Sequence, residues 1–266
     1  MQISLFQMQP ISGDVELNLQ KIERASRVAA EIGAELLVTP ELAVTGYALG
    51  KDFTSVAEAR NGPAVRRLQV MADEQGLAIA AGFAEKEDDG VVYNSAVVVR
   101  PRETPVFYRK CHLYGPVEKA AFAPGGEAPA TFKVGGLRAG MLICYDVEFP
   151  EMVRGLALAG AELVIVPTAL PAGKSARHVA QLVVPSRAME NQVFIAYADL
   201  CGQEAGLTYE GRSVIVAPDG EALARAGHDE TILFASIDPG AYEACHKENP
   251  YLTDRRPELY GALVQR

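Results

Sequence analysis

Short apolar runs alternate along the whole chain with longer stretches whose apolar positions recur every three or four residues. Ile3–Met8, Leu36–Thr39, Leu77–Phe83, Val91–Val99 and Pro105–Tyr108 read as strands, and Glu16–Ile32 and Ala64–Gln75 as amphipathic helices. Gly33 and Gly76 stand where each helix should stop, and Asn61-Gly62-Pro63 opens the second one. Glu87-Asp88-Asp89-Gly90 is a turn between two apolar runs, which predicts a hairpin. The order then repeats in outline. Leu137–Cys144, Leu163–Val166, Phe194–Ala198, Ser213–Ala217 and Ile232–Ile237 are strand-like, and Glu151–Ala159 and Ser175–Gln192 helical, with Pro185 a break in the latter.

Many strands with helices in pairs suggest an α/β fold of two face-to-face sheets, each covered by helices. No linker, low-complexity tract or charge block divides residues 1–266, so one domain is expected. The tail from Asn249 to Arg266 has no clear period and is a candidate to pack on another subunit.

Composition narrows the function. Hydrophobic residues make up 49% of the chain, enough for a large core, and the net charge is −9. No basic stripe is available to neutralise phosphates, which argues against nucleic acid. Neither a secretory leader nor an apolar run long enough to span a membrane is visible, so a cytoplasmic protein is expected. Cys111, Cys144, Cys201 and Cys245 are scattered, with no metal-ligand or disulfide spacing.

Among them Cys144 stands apart. It ends an apolar run, Met141-Leu142-Ile143-Cys144, and Tyr145-Asp146-Val147-Glu148 and a helix-opening Phe149-Pro150-Glu151 follow at once. That is a thiol on a strand-to-helix turn, where backbone N–H groups can stabilise a thiolate or an adjacent oxyanion. The alternative is a packed small hydrophobe. Glu41, directly after Leu36-Leu37-Val38-Thr39-Pro40, is a carboxylate at a strand end, where desolvation would push its pKa toward that of a base. Lys110, after Val106-Phe107-Tyr108-Arg109, is a cation that could hold a tetrahedral oxyanion. Glu118 lies between the Gly115-Pro116 and Pro124-Gly125 turns, in a segment read as a loop able to line a pocket. Surface roles are the ordinary alternative for each of these three taken alone. No histidine is placed for a Cys-His dyad, so a base for Cys144 would be a carboxylate.

Glu41, Lys110 and Cys144, each at a strand end in this order, resemble the Glu-Lys-Cys triad of the nitrilase superfamily of carbon–nitrogen hydrolases. The resemblance covers nearly the whole chain. It continues through Thr45-Gly46-Tyr47, Glu118 with Phe122-Ala123-Pro124-Gly125, Phe149-Pro150-Glu151 and Arg187-Ala188-Met189-Glu190-Asn191. It implies a four-layer α-β-β-α sandwich, a homodimer or higher homo-oligomer, and no cofactor or metal. It also implies that Cys144 forms a thioester, Glu41 moves the protons, Lys110 and the Tyr145 N–H hold the oxyanion, and Glu118 supports substrate or proton transfer. Tyr145-Asp146 after the nucleophile looks like the amidase branches, and resembles 5-aminopentanamidases and stereoselective aliphatic amidases. Hydrolysis of a small aliphatic primary amide with water is therefore expected. N-carbamoyl amine or amino-acid hydrolysis, an ω-amidase and a nitrilase are the alternatives. Tyr47, Glu148 and Thr168 are further candidates for the pocket wall. ω-Amidases carry Arg where Glu148 stands, so neutral or cationic acyl groups are expected; the alternative for Glu148 is a first-turn helix glutamate favoured by the dipole.

Overall fold

The computed structural model describes residues 1–50 and 52–263. Its strands are β1 (Gln2–Gln7), β2 (Leu36–Val38), β3 (Ala78–Lys86), β4 (Val92–Val99), β5 (Val106–Arg109), β6 (Thr131–Val134) and β7 (Leu137–Met141). They continue as β8 (Leu163–Thr168), β9 (Phe194–Asp199), β10 (Gln203–Glu204), β11 (Leu207–Thr208), β12 (Val214–Val216), β13 (Ala222–Arg225) and β14 (Thr231–Ser236). Two six-stranded sheets form, ordered β14-β1-β2-β3-β4-β5 and β13-β12-β9-β8-β7-β6, while β10 and β11 make a separate small hairpin.

The alternation of side chains across each strand explains the layering. Ile3, Leu5, Leu36, Val38, Ala78, Ala80, Ala96 and Val98 of the first sheet share one core with Met141, Leu163, Ile165 and Ala196 of the second. The intervening positions Leu37, Ile79, Ala81, Phe83, Val97 and Val99 pack with Leu19, Ile22, Leu68 and Met71 of α1 (Val15–Glu31) and α2 (Pro63–Gln75). On the far side, Val153 and Leu156 of α4 (Pro150–Leu158) and Val184 and Ala188 of α6 (Val184–Asn191) join the second sheet. The result is the expected four-layer α-β-β-α sandwich. Each fully buried Val, Leu, Ile, Phe or Met side chain among these contributes about 1.5–3 kcal/mol relative to exposure.

Most expected elements are present, with shifted ends. Asp14 caps α1 through a side-chain oxygen accepting from the Leu17 N–H, and Gly76 ends α2 in the left-handed region. The hairpin of β3 and β4 turns at Glu87–Gly90, where the Gly90 N–H reaches the Glu87 carbonyl at 2.9 Å. The long helix expected over Ser175–Gln192 is three pieces: α5 (Lys174–His178), a π-helical turn at Val179–Val183, and α6. Pro185 cannot donate a backbone hydrogen bond, and the wider turn just before it absorbs the missing link. The segment around Glu118, expected as a loop, is instead a short helix, α3 (Gly115–Ala121), opened by Pro116. The strand ending at Cys144 stops at Met141, and Cys144–Glu148 form a 3-10 turn of their own before α4.

At the C-terminus lie α7 (Glu243–Glu248), α8 (Tyr251–Asp254) and two single 3-10 turns. The Gln192 side chain donates to the Asn249 carbonyl at 3.0 Å, so the start of the tail rests on this chain's own α6. The last part of the expected tail, 264–266, lies outside the described residues. No helix among the described residues is long and apolar enough to cross a membrane.

Candidate active site

Three separated segments meet beneath the strand ends. The first is the turn after β2. Gly82 of β3 makes room for it: a Cβ there would lie 2.3 Å from the Leu42 nitrogen and 2.7 Å from the Glu41 Cα. Hydrogen bonds from the Gly82 N–H to the Pro40 carbonyl (3.2 Å) and from the Val44 N–H to the Gly82 carbonyl (3.1 Å) fasten the turn to β3. Glu41 is thereby held with no exposure to solvent.

The second segment is the end of β5. The Lys110 backbone pairs with the Asn94 carbonyl through its N–H (2.9 Å), and its own carbonyl accepts from Gly125 (2.8 Å). The Lys110 side chain, fully buried, donates to Glu41 Oε1 at 2.7 Å and to Glu118 Oε1 at 2.8 Å. Glu118, from α3, also accepts from the Tyr47 hydroxyl at 2.6 Å and, through Oε2, from the Tyr114 N–H at 2.8 Å. Asn94 Nδ2 gives Glu41 Oε1 a second donor at 2.6 Å. Glu41 Oε2 is buried and has no partner among the described residues. One oxygen of this carboxylate is thus clamped and the other is free for chemistry.

The third segment is the turn after β7. Cys144 has φ 46°, in the left-handed region that costs a non-glycine residue roughly 1–2 kcal/mol. Such strain persists where surrounding contacts enforce it, and it clusters at functional sites. The charges of Glu41, Lys110 and Glu118 all act on the Cys144 thiol, and the nearby Ala169 backbone favours its ionised form. The Thr168–Ala169 segment therefore touches two of the three parts, because the Thr168 carbonyl also accepts from the Glu41 N–H at 3.3 Å.

The electrostatics follow from this packing. Burial pushes the Glu41 carboxyl up from 4.5 to about 7; Lys110 and Asn94 oppose that shift, and the Glu118 charge adds to it. Burial also raises the Cys144 thiol well above its ordinary value, with the Glu41 and Glu118 charges adding and Lys110 opposing. Lys110 is raised as well, because Glu41, Cys144 and Glu118 together overcome the desolvation that would lower it. At neutral pH the resting pair is then a protonated thiol beside a carboxyl poised between its two forms. Burial is the largest part of the cost of ionising the sulfur and the nearby Glu41 charge the next, and the second part disappears when Glu41 itself takes the proton.

The structure brings Glu41, Lys110, Glu118 and Cys144 into one buried group. The expected pocket residues behave differently from one another. Tyr47 reaches the group through Glu118, and its half-buried ring stands edge-on to Tyr209 at 6.3 Å. Thr168 is buried with its hydroxyl donating to the Val166 carbonyl at 3.2 Å, so its carbonyl rather than its hydroxyl faces the site residues. Tyr145 and Glu148 are half-buried on the 3-10 turn. Burial raises the Glu148 carboxyl, with the Arg187 charge and, less strongly, the Lys110 charge opposing. Sequence reasoning missed Asn94. Its signal was present: Asn94-Ser95 is a polar pair inside an otherwise apolar strand, and both residues are buried.

Known proteins share this arrangement of chain. The sequence profile of the carbon–nitrogen hydrolase family matches residues 2–247. An (R)-stereoselective amidase of Pseudomonas sp is 36% identical over 268 residues, covering 100% of this chain and 95% of that protein. An omega-amidase of Xenopus tropicalis is 31% identical over 266 residues, covering 96% and 94%. A double mutant of the amidase from Nesterenkonia sp. AN1, solved in complex with acrylamide, superposes with a TM-score of 0.90 at 37% identity, covering 99% of this chain and 97% of that one.

Proposed function

The chain belongs to the carbon–nitrogen hydrolase family and is an amidase of the nitrilase superfamily, and on that basis we propose that it hydrolyses small aliphatic primary amides to a carboxylate and ammonia. Glu41 Oε2 takes the thiol proton as the Cys144 sulfur attacks the amide carbon, forming the C–S bond. The carbonyl oxygen becomes an oxyanion held by Lys110 Nζ and the Tyr145 N–H, the class of interaction that usually contributes most to such reactions. As the oxyanion collapses, Glu41 returns its proton to the nitrogen, the C–N bond breaks and ammonia leaves a thioester. Water then attacks this thioester with Glu41 again taking a proton. The C–S bond breaks, the acid is released, and the sulfur recovers its proton from Glu41. Glu118 keeps Lys110 aimed, and Tyr47 keeps Glu118 aimed.

The observation that carries this reading is the division of labour on Glu41. Oε1 is fixed by Lys110 and Asn94, while Oε2 is buried and unpartnered, and the Glu41 charge acts on the buried Cys144 thiol. The Glu41 pKa near 7 suits a group that must both accept and return a proton at neutral pH. Glu148 supports a pocket for neutral or cationic acyl groups. A half-buried carboxylate there would repel an acyl chain ending in a carboxylate, the kind an omega-amidase would take.

Ammonia release from 5-aminopentanamide, butyramide, α-ketoglutaramate, an N-carbamoyl amino acid and an aliphatic nitrile tests the assignment. The first two should be turned over fastest. Faster turnover of α-ketoglutaramate would overturn the acyl preference, and faster turnover of the ureido compound or nitrile would overturn the reaction class. The mass of intact protein after brief exposure to a slow amide should rise by one acyl group, located on Cys144. An adduct elsewhere, or full turnover by Cys144→Ala, would remove the mechanism.

A further inference from the structure

Asp146 follows the nucleophile by two residues, is completely buried, and takes no part in the proton transfers above. It lies at the junction of the two parts of the site that come from different sheets. Its Oδ2 accepts from the Tyr108 hydroxyl at 2.8 Å and from the Ile143 N–H at 3.3 Å. Its Oδ1 accepts from the His112 backbone N–H at 2.9 Å and pairs with His112 Nδ1 at 2.8 Å. Tyr108 and His112 are the residues two before and two after Lys110, and Ile143 directly precedes Cys144.

We propose that Asp146 is a positioning residue, a clasp that sets the Lys110 ammonium relative to the Cys144 sulfur by gripping both flanks of Lys110 and the strained turn of Cys144 with one carboxylate. The inference rests on the roles of Cys144 and Lys110 proposed above.

The chemistry of the clasp requires a carboxylate. It receives the Tyr108 hydroxyl, two backbone N–H groups and an imidazole nitrogen, and an ionised carboxylate can accept from all of them while donating to none. An asparagine would turn an NH₂ group toward one pair of donors, leaving them buried and unsatisfied. The His112 ring is itself fixed by stacking on Phe149, centroids 3.9 Å apart and planes 16° from parallel. Phe149 caps α4, so the clasp is anchored to the helix that follows the nucleophile. The Ile143 N–H contact also ties the Asp146 side chain back to the residue before the 3-10 turn, which helps hold Cys144 at its positive φ.

The position of Lys110 matters for stabilising an oxyanion, and much less for reactions of the thiol that form none. This separates positioning from a general loss of structure. The test compares amide turnover with disulfide exchange at Cys144 by a small methanethiosulfonate, read by peptide mass. Tyr108→Phe removes one hydroxyl and leaves the packing, so it keeps the proposal testable even where Asp146→Asn fails to fold. Tyr108→Phe should lower kcat about tenfold with KM little changed, and Tyr108→Phe combined with His112→Ala about 10²-fold, the scale of a catalytic group misplaced by an ångström. Disulfide exchange at Cys144 should stay within about twofold of the parent in both, as expected where the thiol–base contact is left intact. Asp146→Asn should not restore turnover. Unchanged kcat in the double variant, full activity in Asp146→Asn, or equal losses of turnover and disulfide exchange would each overturn the clasp. Cys144→Ala serves as the control: if that variant still turns over, the mechanism fails rather than the clasp.

Discussion

The two sheets are built alike and equipped differently. In the first, β14-β1-β2-β3-β4-β5, the successive pairings run antiparallel, parallel, parallel, antiparallel, antiparallel. In the second, β6-β7-β8-β9-β12-β13, they run in the same sequence. Yet the first sheet's strand ends carry Glu41 and Lys110, while the second's carry the Cys144 thiol and the Thr168–Ala169 backbone. The proposed base and cation come from one layer and the proposed nucleophile from the other. Reactivity therefore depends on how the layers sit on each other, and the tie from the Glu41 N–H to the Thr168 carbonyl is as much part of the site as the side chains.

The strongest way to break this division is to remove the first sheet's cation. Lys110→Ala leaves Glu41 and Glu118 buried on either side of an empty place. It should lower turnover by about 10²–10³, the scale of a lost oxyanion donor. It should also cost about 3–5 kcal/mol of stability, the usual penalty for breaking a buried ion pair by deleting one partner. Ammonia release and urea unfolding check the two effects. Full turnover would return the oxyanion role to the backbone of the second sheet alone.

Next is Glu41→Gln, which should reduce turnover by at least about 10²-fold. In the parent enzyme kcat/KM should rise with pH through about 7, because the proposed mechanism uses Glu41 in its deprotonated form. That limb should be missing from the residual activity of the variant. The stability effect has its own sign. Folding raises this carboxyl above 4.5, so the folded state holds the proton more tightly, and Glu41's contribution is full below 4.5 and lost as pH rises through about 7. The glutamine, which does not titrate, should therefore gain stability relative to the parent between pH 5 and pH 8. A constant difference in unfolding free energy across that window would contradict the raised pKa.

Asn94→Ala acts on the same carboxylate more gently. It removes one of the two side-chain donors to Oε1 but keeps Lys110. Asn94 lowers the Glu41 pKa, so its loss should move the acid limb of kcat/KM to higher pH, with about fivefold less activity at pH 7 for a limb displaced by about one pH unit. An unmoved limb would show that Lys110 alone sets the base.

How far the site can be read without coordinates also differs between strand ends and strand interiors. Apolar runs broken by Pro40, Gly33 or Gly76 announce elements, and the residue just past a strand end, such as Glu41, Lys110 or Cys144, stands out against the run before it. β6 and β13 gave no such signal. They are edge strands with exposed or half-buried positions such as Lys133, Ala222 and Leu223, and their pairing supplies what burial does not. α3 was hidden because seven residues beginning Gly-Pro are too few for a helical period to show. Asn94 and Asp146 were chemically visible but had no assignable partners. The acceptor that Asn94 meets is 53 residues away and the donors that reach Asp146 from the other sheet are 34 and 38 residues away, all fixed only by strand order.

The mildest change sharpens the comparison from the other side, because it asks whether the second sheet contributes charge as well as sulfur. Glu148 is the half-buried carboxylate on the same 3-10 turn as Cys144, raised by burial against the charges of Arg187 and Lys110. Its carbonyl is held by Arg187 Nη2 at 2.8 Å, so the backbone of the turn has support that does not depend on the Glu148 side chain. Glu148→Gln should therefore leave butyramide turnover close to the parent. For 5-aminopentanamide it should raise KM about five- to tenfold, corresponding to the ~1 kcal/mol typical of a partly exposed ion pair, with kcat little changed. If both substrates lose kcat equally, Glu148 supports the turn rather than the substrate, and the second sheet's contribution is sulfur and backbone alone.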